Sequence, residues 1–339
     1  MAVGITKLAR VQFGQEVTPG TPVAATTRWR GAASFLDDQR KIEEIEEWTG
    51  IIDAADRTAI VELLAMLELG ETPLTSAQLQ YLLYAGAGGL KVGSADGVGS
   101  GKIYVTNFPT TAKPTTQTLT IEGGDDFEVE RMEYSVCTKI QISGAMGQTC
   151  RMSGTMMGRQ VARLGGGFAA ATVPAIGEFP CQRGKLWMDI VSGAYGTTQI
   201  SNTLIAFKVL IELFWKPVFT MDGNLYYAYP SFTDKKISGE LTYLNDTAAD
   251  GNTGAMLDFR NQTPKLMRID LTGDATTTPG TLYNTYKCMI DLPVKLLNPG
   301  PLASNEGNDI RVFKFRSRYN STAGNAGKIT NVIDVTPLP

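Results

Sequence analysis

Residues 119–130 read LTIEGGDDFEVE, and Asp125 and Asp126 follow two glycines there and precede Phe127. That spacing can do chemistry: glycines let a backbone approach a phosphate closely, and adjacent carboxylates can hold a hard divalent cation. A second candidate is DGVGSGKI at positions 96–103. A phosphate-binding loop needs Gly first and Ser or Thr after the Lys, but Asp96 and Ile103 stand there, so the run reads as a Gly/Ser loop. The chain contains no histidine. Ser-His-Asp and Cys-His relays, HExxH zinc sites and an imidazole base near neutral pH are thereby excluded. No constellation for an enzyme remains, and no metal or cofactor is expected.

The elements that must position these residues are mostly strands. In KVLIELFWK, Val209, Ile211, Leu213 and Trp215 share one face while Lys208, Glu212 and Lys216 share the other. RVFKFRSRY puts Phe313, Phe315 and Tyr319 opposite Lys314, Arg316 and Arg318, and AIVELLAMLEL sets Val61, Leu63, Ala65, Leu67 and Leu69 against Glu62 and Glu68. These are half-buried antiparallel strands. Thr75 and Gln78 form a capping-box pattern for a helix carrying Leu79, Leu82 and Leu83 and ending at Gly86, and a weaker helix is expected near Met256, Leu257 and Arg260. The four cysteines, Cys137, Cys150, Cys181 and Cys288, lie far apart without a CxxC pair, which predicts buried reduced thiols. The first residues lack the apolar core of a signal peptide and the apolar runs are short and broken by charge, so a soluble chain made in the cytoplasm is expected. The net charge of −3 gives no basic footprint for nucleic acid.

The two halves of the chain read as copies. LTIEGGDDFEVERMEYSVCTKIQI has a counterpart in MRIDLTGDATTTPGTLYNTYKCMIDL: a strand, a Gly/Asp turn, an aromatic, then a strand bearing Cys137 or Cys288. In diguanylate cyclases a Gly-Gly-acid-acid-Phe turn holds a nucleotide, but here the second copy keeps only Asp274 and the strands do not alternate with helices. The turn therefore reads as a structural corner. RLGGGFAAATVPAIGEFP, at 163–180, is the natural junction. The expected organisation is mainly β (β-rich α+β): two tandem antiparallel sandwich or barrel domains, 1–166 and 167–339, each with a short flanking helix, the second ending in a C-terminal tail.

VQFGQEVTPGTPVAAT resembles the opening of the tail tube (major tail) proteins of long-tailed, non-contractile bacteriophages, with Gly-x-Glu followed by a Gly-Thr-Pro-Val turn. ETPLTSAQLQYLLYAGAGG resembles that family's passage from strand to helix, and LTIEGGDDFEVERMEYSVCTKIQISGAMGQTCRMSGTMMGR its strand, turn and final hairpin. The second half, with its long hairpin at 204–244, is a looser match. The resemblance implies a duplicated form of a subunit whose sheets join into rings and whose rings stack into the tube that conducts the genome into the host. It implies a virion protein assembled in the host cytoplasm, with no membrane. Its partners would be copies of itself, the tape measure, terminator and tip proteins of the tail, and DNA that passes without specific binding. Family members with one sheet domain build rings of six, so trimeric rings with pseudo-sixfold symmetry are expected here.

Within that frame two residue sets stand out. The charged arm LDDQRKIEEIEEWTGIIDAADR at 36–57 is expected as a solvated helix or as the family's long loop, with Ile42, Ile45 and Trp48 buried against the adjacent ring. Glu122, Asp125, Asp126, Glu128 and Glu130 are candidate channel-lining acids, because a basic wall would bind phosphates and stall the strand. The alternative is a β-sandwich carbohydrate- or receptor-binding module of a tail tip or adhesin, for which Tyr226, Tyr227, Tyr229 and Phe232 in NLYYAYPSF form the one aromatic platform.

Overall fold

A computed structural model describes residues 5–32, 35–52, 57–97, 101–165, 167–246, 254–277 and 279–334. The first half contains β1 (Arg10–Gln15), β2 (Thr27–Arg28), β3 (Asp37–Glu44), β4 (Thr58–Pro73), α1 (Ser76–Ala87), β5 (Ser94–Ala95), β6 (Lys102–Asn107), β7 (Leu119–Gly124), β8 (Val129–Ala145), β9 (Arg151–Gly158) and β10 (Val161–Leu164). The second contains β11 (Lys185–Ile190), β12 (Gln199–Ile200), β13 (Leu204–Val218), β14 (Tyr229–Leu244), α2 (Ala255–Arg260), β15 (Lys265–Ala275), β16 (Thr285–Leu296), β17 (Ala303–Asn305), β18 (Asn308–Ser317) and β19 (Lys328–Ile333). The protein is mainly β, and its named strands pair antiparallel in one connected network.

The pairing pattern recurs. In the first half β1 pairs with β2 and β7, β7 with β8, β8 with β9 and β10, β9 with β4, and β4 with β3. In the second half β11 pairs with β12 and β15, β15 with β16, β16 with β18 and β19, β18 with β14, and β14 with β13. Eight strands of the first half (β1, β2, β3, β4, β7, β8, β9 and β10) thus match eight of the second (β11, β12, β13, β14, β15, β16, β18 and β19), while β5, β6 and β17 have no counterpart. The junction residue 166 and the C-terminal residues 335–339 lie outside the described residues.

Long strands serve two sheets each. β8 pairs through Val129–Ser135 with β7 and β10, then through Val136–Ala145 with β9 and β13, and the change comes beside Tyr134, whose φ of 56° bends the strand. One sheet consequently crosses the whole molecule in the order β3-β4-β9-β8-β13-β14-β18-β17. A second contact between halves pairs β6 with β19.

The core follows the sequence pattern where strands are covered. Val209, Ile211, Leu213 and Trp215 are buried, as are Ala65, Leu67, Leu69, Phe313 and Phe315. Toward the start of β4 the alternation stops mattering: Val61 is exposed and Leu63 only half-buried. Tyr319 lies beyond the end of β18 and is 57% exposed, so it does not share the buried face of Phe313 and Phe315. α1 is buried along its whole length and ends at Gly88, two residues later than expected, where φ of 71° suits a residue without Cβ. The Thr75 hydroxyl donates to Gln78 Oε1 at 2.9 Å, so the predicted capping pair meets through its side chains and not through the helix amides. All four cysteines are free and buried, with Cys150 and Cys181 Sγ 3.1 Å apart. Burial pushes the Cys137 thiol up to about 12, which keeps it protonated and unreactive. Among the described residues no helix is long and apolar enough to cross a membrane.

Candidate assembly surfaces

The Gly-Gly-acid-acid-Phe stretch is a strand end and a corner. Gly124 has φ of 146°, and a Cβ there would fall 2.1 Å from the Glu128 carbonyl oxygen, so the turn demands glycine. Asp125 Oδ1 accepts from the amides of Phe127 and Glu128, both at 2.8 Å, and these bonds hold its carboxyl below the usual range. Asp126 accepts from the Ile5 amide at 2.9 Å, and Glu128 pairs with Arg163 at 3.0 Å. Glu130 is pushed up by partial burial first, then by Glu128 and Asp38. No group of acids among the described residues is arranged to hold a metal ion.

Glu122 departs from the expected wall. It is 3% exposed and points inward, accepting from the Ala25 amide at 3.2 Å, the Ala169 amide at 3.1 Å and Gln12 Nε2 at 3.3 Å. A carboxylate so enclosed pins the junction segment to β1, and it cannot face a channel. Asp126 and Glu128 are exposed, Asp125 and Glu130 partly so.

The charged arm is a β-hairpin and not a helix. β3 pairs with β4 from Asp37↔Met66 to Glu44↔Thr58, and the Ile45 amide continues the ladder to the Arg57 carbonyl at 2.9 Å. Arg57 also pairs with Glu47 across the tip. Every residue of β3 is exposed, Ile42 included; Ile45 is half-buried, and at the tip Trp48 is 98% exposed with Ile51 and Ile52 also bare. Residues 53–56 lie outside the described residues. Spacing of three between Ile42, Ile45 and Trp48 suggested helix, but a strand with no covered face carries no burial alternation to announce itself.

The sister hairpin, β13–β14, is fully engaged. β13 pairs with β8 from Ala206↔Ala145 to Glu212↔Lys139, joining the two halves edge to edge. Beyond that ladder the hairpin overhangs the first half. Trp215 Nε1 donates to the Gly86 carbonyl at 2.8 Å and stacks edge-on against Phe232. Its tip is locked further out: the Leu63 amide donates to the Leu225 carbonyl at 2.9 Å, Tyr227 Oη to the Tyr134 carbonyl at 2.7 Å, and Arg159 to the carbonyls of Tyr227 and Ala228 at 3.0 and 2.7 Å. The Arg159 guanidinium also lies 4.3 Å from the Tyr134 ring centre. Tyr227 is wholly buried and its phenol is pushed well up by desolvation. Of the aromatic run at 226–232, Tyr227 is buried, Tyr226 and Phe232 are half-buried, and Tyr229 is 51% exposed.

Two buried acids outside the candidate site residues, Glu16 and Asp96, complete the supports. Glu16 accepts from the Gly20 and Tyr134 amides and from the Thr118 and Thr120 hydroxyls, all within 2.6–2.9 Å, fixing the corner on which Arg159 rests. Asp96, at the head of the failed phosphate-loop pattern, accepts from the Leu282 and Tyr283 amides at 2.7 and 2.9 Å and so clips the second half to the first. Glu16 is the acid of the Gly-x-Glu pattern at 14–16, whereas Asp96 carries no signal beyond an acid among small residues, which loops share widely. A comparison with protein-family models finds no match for the chain, and one with curated proteins finds none either.

Proposed function

We propose that the chain is a self-assembling structural subunit that closes into stacked rings, a tail tube protein of a long-tailed bacteriophage carrying two ring units per chain. The observation that supports this reading most is the sheet that crosses the molecule. At its centre β13 of the second half joins β8 of the first. At one end lies β3, the sister of β13, with β4 as its only strand partner among the described residues. At the other lie the end of β16, the sister of β8, and then β17, both on β18. Among the described strands β16 has no partner on its outer side after Val294, where Gln262 Nε2 meets the Leu296 carbonyl. The joint that is filled once within the chain thus has both of its halves vacant at the ends. Unpaired edges of this kind invite another chain, and a head-to-tail contact that closes on itself gives a ring. The conduit role comes from the resemblance in VQFGQEVTPGTP and LTIEGGDDFEVE, with Asp126 and Glu128 as the acids available to a wall. Electron microscopy of the purified protein tests the reading. Rings or tubes are the expected outcome; a chain that stays monomeric at high concentration and low salt would remove it.

A further inference from the structure

The internal joint is more than an edge pairing, because the tip of hairpin β13–β14 also docks beyond it, around Leu63, Tyr134 and Arg159. The ladders locate the sister of that docking surface. Val136↔Met157 is the first rung between β8 and β9, and Val294↔Ser317 the first between β16 and β18. Met66↔Met157 and Ile237↔Ser317 are the matching rungs to β4 and β14. Counting from them, Tyr134 corresponds to Leu292, Arg159 to Tyr319 and Leu63 to Asp234. An open groove of about 670 Å³ lies at that place, lined by Asp234, Lys235, Arg316, Arg318 and Tyr319, and a second of about 390 Å³ adjoins it beside Pro293 and Lys295.

We infer that the tip of hairpin β3–β4 of one copy docks laterally in this groove of a second copy, repeating between chains what β13–β14 does within one. The inference rests on the ring reading above and names its second contact. Both surfaces are bare in the single chain. Trp48, Ile51 and Ile52 at the tip are exposed apolar side chains of the kind that anchor interfaces, and Tyr319 waits exposed in the groove. Charge matches on balance: on the hairpin Asp37, Asp38, Glu43, Glu44, Glu46 and Glu47 outnumber Arg40, Lys41 and Arg57, whereas on the groove side Lys295, Lys314, Arg316 and Arg318 outnumber Asp234. Opposite charge favours encounter in this orientation and disfavours tip-to-tip pairing. Pro299 and Pro301 interrupt the open edge beside the groove and withhold two amide donors, so the edge is a poor template by itself and the tip contact supplies the missing grip. The arm then acts within a ring, in place of reaching an adjacent one.

Two variants and one cross-link decide it. Trp48→Asp and Tyr319→Asp alter exposed side chains, so circular dichroism and the unfolding midpoint should match the wild type, while the protein concentration needed for assembly should rise about tenfold or more. A chain carrying both Thr49→Cys and Tyr319→Cys, oxidised after assembly, should yield a ladder of cross-linked species that stops at the number of chains in one ring. Rings that form as before in both aspartate variants, without that cross-link, would overturn the tip contact and leave the ring reading standing. A ladder extending past one ring would assign the tip to stacking and overturn the lateral contact. A wild-type chain that never assembles would remove both inferences together.

Discussion

Acidic side chains in this protein divide by what their oxygens touch. Glu122 collects the backbone amides of Ala25 and Ala169 and Glu16 those of nearby Gly20 and distant Tyr134, and neither acid is free to meet solvent or a ligand. Replacing Glu122 by Ala strands the Ala25 and Ala169 amides in a buried site, and stability should fall by about 2–3 kcal/mol, read from urea unfolding. By contrast Asp125→Asn with Asp126→Asn should keep fold and assembly nearly intact, because an amide oxygen can still cap Phe127 and Glu128. If wild-type protein bound guanine nucleotides by calorimetry and this pair of changes abolished it, the corner would have to be read as a site. The pH dependence has a definite sign. Asp125 is held low in the folded state, so its contribution is complete above the ordinary carboxylate range and is lost as pH falls through the depressed folded value. The acid limb of an unfolding curve should be shallower in Asp125→Asn than in the wild type.

Among the elements, legibility tracked coverage. β13 and β18 were readable because a buried face forces alternation at every second residue, and α1 because Leu79, Leu82 and Leu83 return at helical spacing. β3 was not, since all of its residues face water and its one apolar side chain, Ile42, is 59% exposed with no covered face to repeat on. The β6–β19 and β8–β13 contacts join residues more than 60 positions apart and leave no local signal at all. Glu122 was misplaced for a related reason: a strand acid looks the same in sequence whether it faces a solvent wall or a knot of amides. The hairpin overhang yields a prediction at this scale. Gly86 has room for no side chain, since a Cβ would sit 2.6 Å from Leu213 Cδ1, and Trp215 closes the same contact from above. Trp215→Ala should cost about 3–5 kcal/mol, the range for truncating a large buried aromatic. Hydrogen exchange should then quicken along 213–232 and at the end of α1 before it does in β16, because the hairpin loosens from the first half while its own ladder to β18 persists.

For the whole molecule, the size of the proposed ring depends on how many sheet units close it. Two sets of strands with matching neighbours are joined within one chain by β8–β13, and the same joint between chains would add two units per subunit. The geometry of each joint is fixed by its strands, so the number of units that closes the circle depends on the angle per joint and is indifferent to whether the connection is covalent. Single-domain members of the family that the sequence resembles close with six units, so the proposed ring would hold three of these chains. In the proposed ring the covalent junction at 163–180 would replace every second encounter with an intramolecular one at high effective concentration, and Glu122 of β7 and Gln12 of β1 both hold that junction at Ala169. The remaining joints of that ring, between β3 and the edge after Val294, would then be the ones that require association, and the acidic hairpin and basic groove would make them sensitive to ionic strength. Native mass spectrometry of rings released from tubes should report three chains, with ring yield falling as salt is raised. A mass corresponding to six chains would mean that only one unit per chain lies in the ring and that the second half, for all its matching ladder, projects from it.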